Sequence, residues 1–296
     1  MRVTNYLRSF AQVKDPLSTE EYRSLGGFDG LKAALGMAPG DVITRVKEAR
    51  LAGRGGAGFD TGTKWSTVPD EEEVYVVCNA DEGEPGTFKD RYLLERAPFL
   101  VIEGLAIAAY AVGARKAFVY IRGEYPVARE RIQAALDALK EAGFPASLGH
   151  NGDFQLDITV KVGGGSYVVG DETALLNSLM GNRGYPLLKP PFPTEQGLWE
   201  KPTVVNNVET LACVPLIMSR GSEWFSKIGS EKNPGPKLYS VSGHVVKPGV
   251  YELPMGSSVA EVLEVAGGPA GTLKAVQIGG TAGPFYTPAA LELPLD

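Results

Sequence analysis

Between residues 74 and 180 short, continuous apolar runs alternate with stretches of helical period, and few architectures accommodate that alternation. The run 74–78, Val-Tyr-Val-Val-Cys, is β-branched or aromatic almost throughout, as a strand buried on both faces should be. Residues 98–112 read as a buried helix and 116–122 as a second buried strand. Residues 126–142 form an amphipathic pattern with Ile132, Leu136 and Leu139 on one face and Gly143 as its stop. The segment 154–162 alternates as a third strand and runs into Gly163-Gly164-Gly165, after which 172–180 is helical. Strand, helix and strand in this order predict an α/β fold class with a mostly parallel sheet. Upstream, Asp41 is a candidate N-cap for a helix running to about residue 52. Beyond residue 200 the rhythm changes. Asn206-Asn207-Val208-Glu209 fits an N-cap with an acid three positions on, opening a helix to about 218. The charged, Pro/Gly-rich stretch 231–236 is the expected domain boundary. After it, strands over 237–245 and 249–253, a helix near 259–266 and Gly267-Gly268 make a small hairpin-plus-helix module. The expected domains are 1–233, with 1–50 as a helical extension, and 237–296.

Charge and cysteine content remove several function classes. Lys and Arg number 29 against 35 Asp and Glu, a net charge of −6, which disfavours nucleic acid and anionic membranes as partners. Only two cysteines occur, Cys78 and Cys213, so neither a disulfide framework nor an all-thiolate iron–sulfur cluster, which takes four ligands, is expected. His150 and His244 stand without companions at ligand spacing, and no metal site is expected. The apolar stretch near 104–114 is too short to span a bilayer, and Met1 to Asn5 opens no signal peptide. A cytoplasmic location without membrane insertion is the expectation.

With 37 glycines and 21 prolines and no collagen-like period, the chain is expected to make many turns and backbone–ligand contacts. Gly53-x-Gly55-x-x-Gly58 matches the dinucleotide fingerprint literally, but a helical segment precedes it where a strand should, and no helix clearly opens at Gly58. A packing turn would explain two glycines; Gly53, Gly55, Gly56, Gly58 and Gly62 around Arg54, Phe59 and Lys64 fit a ligand loop better, with the two cations supplying charge. The acidic loop Asn79-Ala80-Asp81-Glu82-Gly83-Glu84 leaves the first strand where ligands of open α/β sheets bind, and reads equally as a solvated turn. Gly163 to Thr173 runs into a helix start suited to phosphate, although Asp171 and Glu172 also serve as first-turn acids. Asn206-Asn207-x-Glu209 is ambiguous in the same way.

Together the segments are specific. GRGGAGFxTGxKW, CNADEGEPGTFKDR, GxYxxGDETALLNSL and LKPPFPxxxGLWxKPTxxNNVET follow one another in the order found in the NADH-oxidising flavoprotein subunit of respiratory complex I, which the chain resembles from about Gly53 onward. The same subunit type recurs in NAD-linked hydrogenases and formate dehydrogenases. The resemblance implies a domain binding FMN and NADH in one cavity, followed by a ubiquitin-like SLBB domain from Lys237 to Asp296. It implies cofactor contacts at Gly53, Arg54, Gly55, Gly56, Lys64, Asn79, Asp81, Glu82, Tyr167, Gly170, Asp171 and Glu172, with Asn206, Asn207 and Thr210 on the phosphate side. Phe59, Lys64, Glu84 and Phe192 would meet NADH, Glu84 bordering the nicotinamide and Phe192 stacking on adenine. No side chain is expected to act as acid or base, because flavin and dinucleotide carry the chemistry.

Three departures from the family stand out. Val169 and Asp171 replace a Cys and the first Glu of the usual Cys-Gly-Glu-Glu, and Thr67 stands where a second aromatic beside NADH is usual. The chain also stops at Asp296, where the family enters a helical bundle carrying a 4Fe–4S cluster. The sequence is thus either a truncated product or a shortened homologue whose electrons leave by another route. The resemblance predicts that electrons leave singly to an iron–sulfur partner subunit of a larger complex, peripheral on the inner membrane, with the face around 251–255 as its dock. The rival is a degenerate, non-redox paralogue that keeps the fold and docks through its SLBB domain.

Overall fold

The computed structural model describes residues 4–144 and 154–296; His150 lies outside them. Four short helices open the chain: α1 (Leu7–Ala11), α2 (Thr19–Ser24), α3 (Asp29–Leu35) and α4 (Pro39–Glu48). Pro39, not Asp41, starts α4. A proline at the first helical position gives up an N–H that has no intrahelical partner, so Asp41 becomes a first-turn acid instead. Two distant glutamates hold this extension. Glu103 accepts from the Phe28 and Leu31 amides at 2.8 and 2.9 Å, and Glu252 accepts from the Tyr6, Leu7 and Arg8 amides at 2.8–2.9 Å. Each meets the partial positive charge of a helix start.

The glycine run leads into α5 (Thr61–Ser66), capped by Asp60. A helix does open just after Gly58, contrary to the expectation from sequence. Then follow β1 (Tyr75–Ala80), α6 (Lys89–Arg96), α7 (Pro98–Ala111), β2 (Lys116–Arg122), α8 (Pro126–Glu141), β3 (Asp157–Gly163), α9 (Glu172–Leu179), β4 (Thr203–Asn207) and α10 (Val208–Arg220). The sheet is all parallel in the order β3-β2-β1-β4. Its fourth strand has no counterpart among the expected elements, where Asn206 belongs to a helix cap. Asn206 is a strand residue paired with Cys78, and the cap is Asn207, whose side chain accepts from the Glu209 and Thr210 amides. The β-branched run Thr203-Val204-Val205 is the available signal; its brevity hides it.

Side-chain alternation along the strands divides the core. Val76, Cys78, Val119 and Ile121 face the helical layer of α7 and α10, whereas Val77, Phe118, Tyr120 and Val205 face Leu175, Leu176 and Leu198. The long apolar stretch of α7 is therefore the central helix of the domain. It approaches α10 closely enough that any side chain at Gly104 would run into the Leu211 backbone.

After α11 (Ser222–Ser226) the chain forms an antiparallel hairpin of β5 (Pro236–Val241) and β6 (Gly249–Pro254), then α12 (Val259–Val265) and a two-residue hairpin, β7 (Val276–Gln277) with β8 (Phe285–Tyr286). The first strand ends at Val241, short of the expected 245, and His244 is exposed. The boundary segment is tied down rather than loose: Gly229 bridges Pro234, and the Gly235 amide donates to Ile228. The face expected to dock a partner, 251–255, is largely covered. Glu252, Leu253 and Pro254 are buried, and Arg8 stacks on Tyr251. Among the described residues no helix is long and apolar enough to cross a membrane.

Candidate functional site

In a parallel sheet ordered β3-β2-β1-β4 the chain reverses its direction of travel between β1 and β4. The two connections diverge there and leave a crevice beyond the carboxyl ends of those strands. A cavity of about 670 Å³ opens at this point, within the range of about 300–1,000 Å³ common for small-molecule sites. Asn79 from β1 and Val205, Asn206 and Asn207 from β4 form its floor. The glycine loop (Gly53, Gly55, Ala57, Gly58, Phe59), Lys64 and Thr67 form one wall. Gly170, Asp171, Glu172, Lys189 and Phe192 to Glu195 contribute the others, and Thr210 closes the α10 side.

The glycine loop is built for backbone recognition. Gly53 donates to Phe59 O and the Arg54 amide donates to Thr210 Oγ1, both at 2.8 Å, which fixes the ends of the turn. Among the described residues the amides of Gly55, Gly56 and Ala57 meet no protein acceptor, and all three residues are exposed. Gly56 and Gly58 have φ of 118° and 65°, conformations that cost glycine little. A run of unpaired amides next to an ammonium group suits a phosphorylated ligand. The ammonium is Lys64, 3.1 Å from both Glu172 Oε2 and Val205 O. Arg54, expected to share that role, turns away: its buried guanidinium donates to Pro234 O at 2.8 Å and Pro236 O at 3.2 Å.

Both helix starts expected to receive phosphate are occupied by the protein itself. Asp171 accepts from Thr173 Oγ1 at 2.6 Å and from the amides of Thr173 and Ala174, capping α9. Burial works against its charge, yet these hydrogen bonds and Lys189 hold its carboxyl below the ordinary range. Asn207 caps α10 and donates to Asp90 at 2.6 Å. Glu172 is likewise penalised by burial but kept ionised by Lys64 and by Lys189, which lies 2.5 Å away. Lys189 lines the cavity and is not among the residues expected from sequence, although it lies inside a recognised motif.

The amides of the floor are directed by their partners. Asn206 accepts from the Trp65 indole at 2.8 Å, which leaves its NH₂ for a ligand. Asn79 spends both ends, donating to Gly170 O at 2.9 Å and accepting from the Asp81 amide at 3.1 Å, so it braces the wall. At the mouth, Phe59 and Phe192 are 55% and 51% exposed, an unusual state for two phenyl rings at one cavity. Thr67 also reaches it, bonded to Thr194 Oγ1 at 3.0 Å.

Besides Arg54 and Gly56, four expected residues stand off the cavity wall: Asp81, Glu82, Glu84 and Tyr167. Glu82 is buried and accepts from the Asp90 and Arg91 amides and from Tyr125, anchoring the start of α6; burial and the nearby Asp90 push its carboxyl up to about 7. Asp81 is pushed up to about 6, mainly by burial. Glu84, at the end of the acidic loop, accepts from the Tyr167 hydroxyl at 2.5 Å. Among the described residues no group of three or more His, Cys, Asp or Glu side chains could hold a metal ion.

Comparison with known proteins gives the site a context. Residues 46–216 match the Nuo51 FMN-binding domain, and residues 238–284 match the SLBB domain. The F 2 subunit of NADH-quinone oxidoreductase in Rhizobium meliloti is 52% identical over 93% of this chain and 67% of its own length. The F subunit of the Escherichia coli NADH-quinone oxidoreductase is 46% identical over 96% of this chain and 65% of its own length. The crystal structure of an NAD+-reducing NiFe-hydrogenase in the H2-reduced state superposes with a TM-score of 0.81 at 40% identity, covering 89% of this chain and 46% of the hydrogenase chain. The chain thus spans about two thirds of the length of the curated relatives and about half that of the hydrogenase chain.

Proposed function

Since the chain belongs to the Nuo51 FMN-binding family, we propose that it is an NADH-oxidising flavoprotein module, binding FMN and NADH in the cavity between β1 and β4. One observation carries the reading. Unpaired glycine-loop amides, a lysine, directed asparagines and two exposed phenyl rings converge on one crevice. That donor set suits two flat, phosphorylated molecules.

FMN held here would supply the hydride acceptor and the one-electron chemistry that no side chain of this protein carries. The protein's part is placement. The amides of Gly55, Gly56 and Ala57 with Lys64 hold phosphate oxygens, and Asn206 offers its NH₂ to a ring or ribityl acceptor. Asn79 fixes Gly170 and Asp81, so the wall at the end of β1 does not yield when a ligand enters. Phe59 and Phe192 sandwich or flank the dinucleotide and exclude water from it. Placing the two reacting rings against each other would be this chain's contribution to rate.

Electrons leave to an iron–sulfur subunit of a larger, membrane-associated assembly of the complex I or NAD-linked hydrogenase kind. Support for a larger assembly comes from the relatives, which are named as a subunit of NADH-quinone oxidoreductase and an NAD+-reducing NiFe-hydrogenase. The test is simple. The purified chain, loaded with flavin, should be yellow, release FMN on denaturation and reduce ferricyanide with NADH. A chain that refuses FMN sinks the reading and leaves the non-redox docking paralogue in its place.

A further inference from the structure

Glu84 is gripped from two parts of the chain far away in sequence. Its Oε2 accepts from the Tyr167 hydroxyl at 2.5 Å. Its Oε1 accepts from the Thr281 amide at 2.6 Å and the Thr281 hydroxyl at 3.0 Å, across 197 residues of chain. Thr281 sits at the tip of the β7–β8 hairpin, which closes through Gly283 N to Gly280 O at 3.1 Å and Ile278 N to Pro284 O at 3.3 Å. The neighbouring Gly280 has φ of 79°, and a side chain there would overlap the Glu84 carboxylate. Glycine at 280 lets the hairpin tip close onto that carboxylate. On the other side, a side chain on Gly83 would stand 3.2 Å from the Tyr167 ring, so the acidic loop packs flat against the turn that leads to Gly170 and Asp171. Tyr167, then the two groups of Thr281, hold the carboxyl of Glu84 below its ordinary range.

We propose that Thr281 is a positioning residue for the dinucleotide: its amide and hydroxyl hold the Glu84 carboxylate back from the cavity, so the C-terminal hairpin sets dinucleotide affinity without touching the dinucleotide. This rests on the reading that Glu84 borders the nicotinamide. A carboxylate on a flexible side chain at the edge of a site for an anionic substrate repels that substrate whenever it swings inward. Two donors on one oxygen and a phenol on the other remove that freedom, and the donors come from a different domain from the acid.

Two measurements test this. In the FMN-loaded protein, Thr281→Val should raise the KM for NADH about threefold with kcat to ferricyanide within about twofold, as loss of one charge-assisted hydrogen bond in a solvated place predicts. Thr281→Ser should restore the wild-type value. In a Glu84→Ala background, Thr281→Val should change nothing further. Additive effects in the two backgrounds would show that Thr281 acts through general structure and would overturn the proposal. So would a shift with Glu84→Ala but none with Thr281→Val, an outcome that leaves the proposed function standing. If neither substitution moves KM in a protein that oxidises NADH, Glu84 does not border the dinucleotide, and the inference falls with that assignment alone. The second measurement needs no flavin. Hydrogen exchange of the peptide 278–284 should report a Thr281 amide that exchanges about tenfold faster in Glu84→Ala; unchanged exchange means the contact is absent in solution and overturns the proposal.

Discussion

The Arg54 guanidinium donates to the Pro234 carbonyl at 2.8 Å, so the same residue whose amide sets the glycine loop also clamps the segment before β5. Its Nε and Nη1 are buried with no hydrogen-bond partner, which offsets part of what the two carbonyl contacts contribute. Arg54→Met should therefore destabilise the protein by about 2 kcal/mol, less than a fully paired buried arginine would. Urea denaturation followed by tryptophan fluorescence measures it. A loss below a few tenths would mean the clamp is incidental.

Asn207 does three things at once: it ends β4, caps α10 and donates to Asp90. Asn207→Ala removes the cap and leaves a buried carboxylate oxygen with one donor fewer. We expect about 2 kcal/mol of destabilisation, the upper end for a cap. FMN affinity should also fall about tenfold, because the α10 wall at Thr210 loses its anchor. Parallel thermal melts and flavin-fluorescence titrations would separate the two, and unchanged affinity would confine Asn207 to folding.

Glu103 ties α7 to the amino-terminal extension, and burial pushes its carboxyl up to about 7 from an ordinary 4.5, against the opposing pull of Tyr22, Leu31 and Phe28. A carboxyl raised on folding contributes stability that is complete below about 4.5 and is lost as pH climbs through about 7. Glu82, also raised to about 7, acts in the same direction. Glu209, held down to about 2 by Lys237, Lys89 and Arg54 against its burial, contributes above 4.5 and is lost only toward pH 2. Between pH 4.5 and 8 the unfolding midpoint should therefore decline more in the wild type than in Glu103→Gln. Superimposable slopes would contradict the assignment.

Cys78 and Cys213 are fully buried, one in β1 and one in α10, and burial pushes the Cys213 thiol up to about 12. Neither is available as a thiolate at neutral pH. Iron and acid-labile sulfide in the purified chain should be negligible, and the NADH-reduced protein should give no low-temperature EPR signal from a cluster. A stoichiometric 4Fe–4S signal would overturn the electron path proposed for this chain.

Local pattern was enough for the α/β class, because strands such as 75–80 and 116–122 and the helix 98–111 carry their periodicity and their stops within themselves. The motifs were legible for a similar reason: a loop such as 53–62 needs its glycines wherever it is placed. What the sequence could not yield was assignment among neighbours. Arg54 turns to the hinge because of carbonyls 180 and 182 residues on, Asn206 is fixed as a strand residue by Cys78 and Trp65, and Glu103, Glu209 and Glu252 find donors that lie 28 to 246 residues away. The short fourth strand makes the point most simply. Five residues of Thr-Val-Val-Asn-Asn are too few to show a period, and they become a strand because β1 offers them an unpaired edge and two cores close over them. The site lies where that strand joins, since only the assembled sheet has a switch point. Hydrophobic period is a property of the chain; hydrogen-bond partnership and the crevice are properties of the packed molecule, in which each polar group is satisfied by whatever tertiary structure brings within about 3 Å.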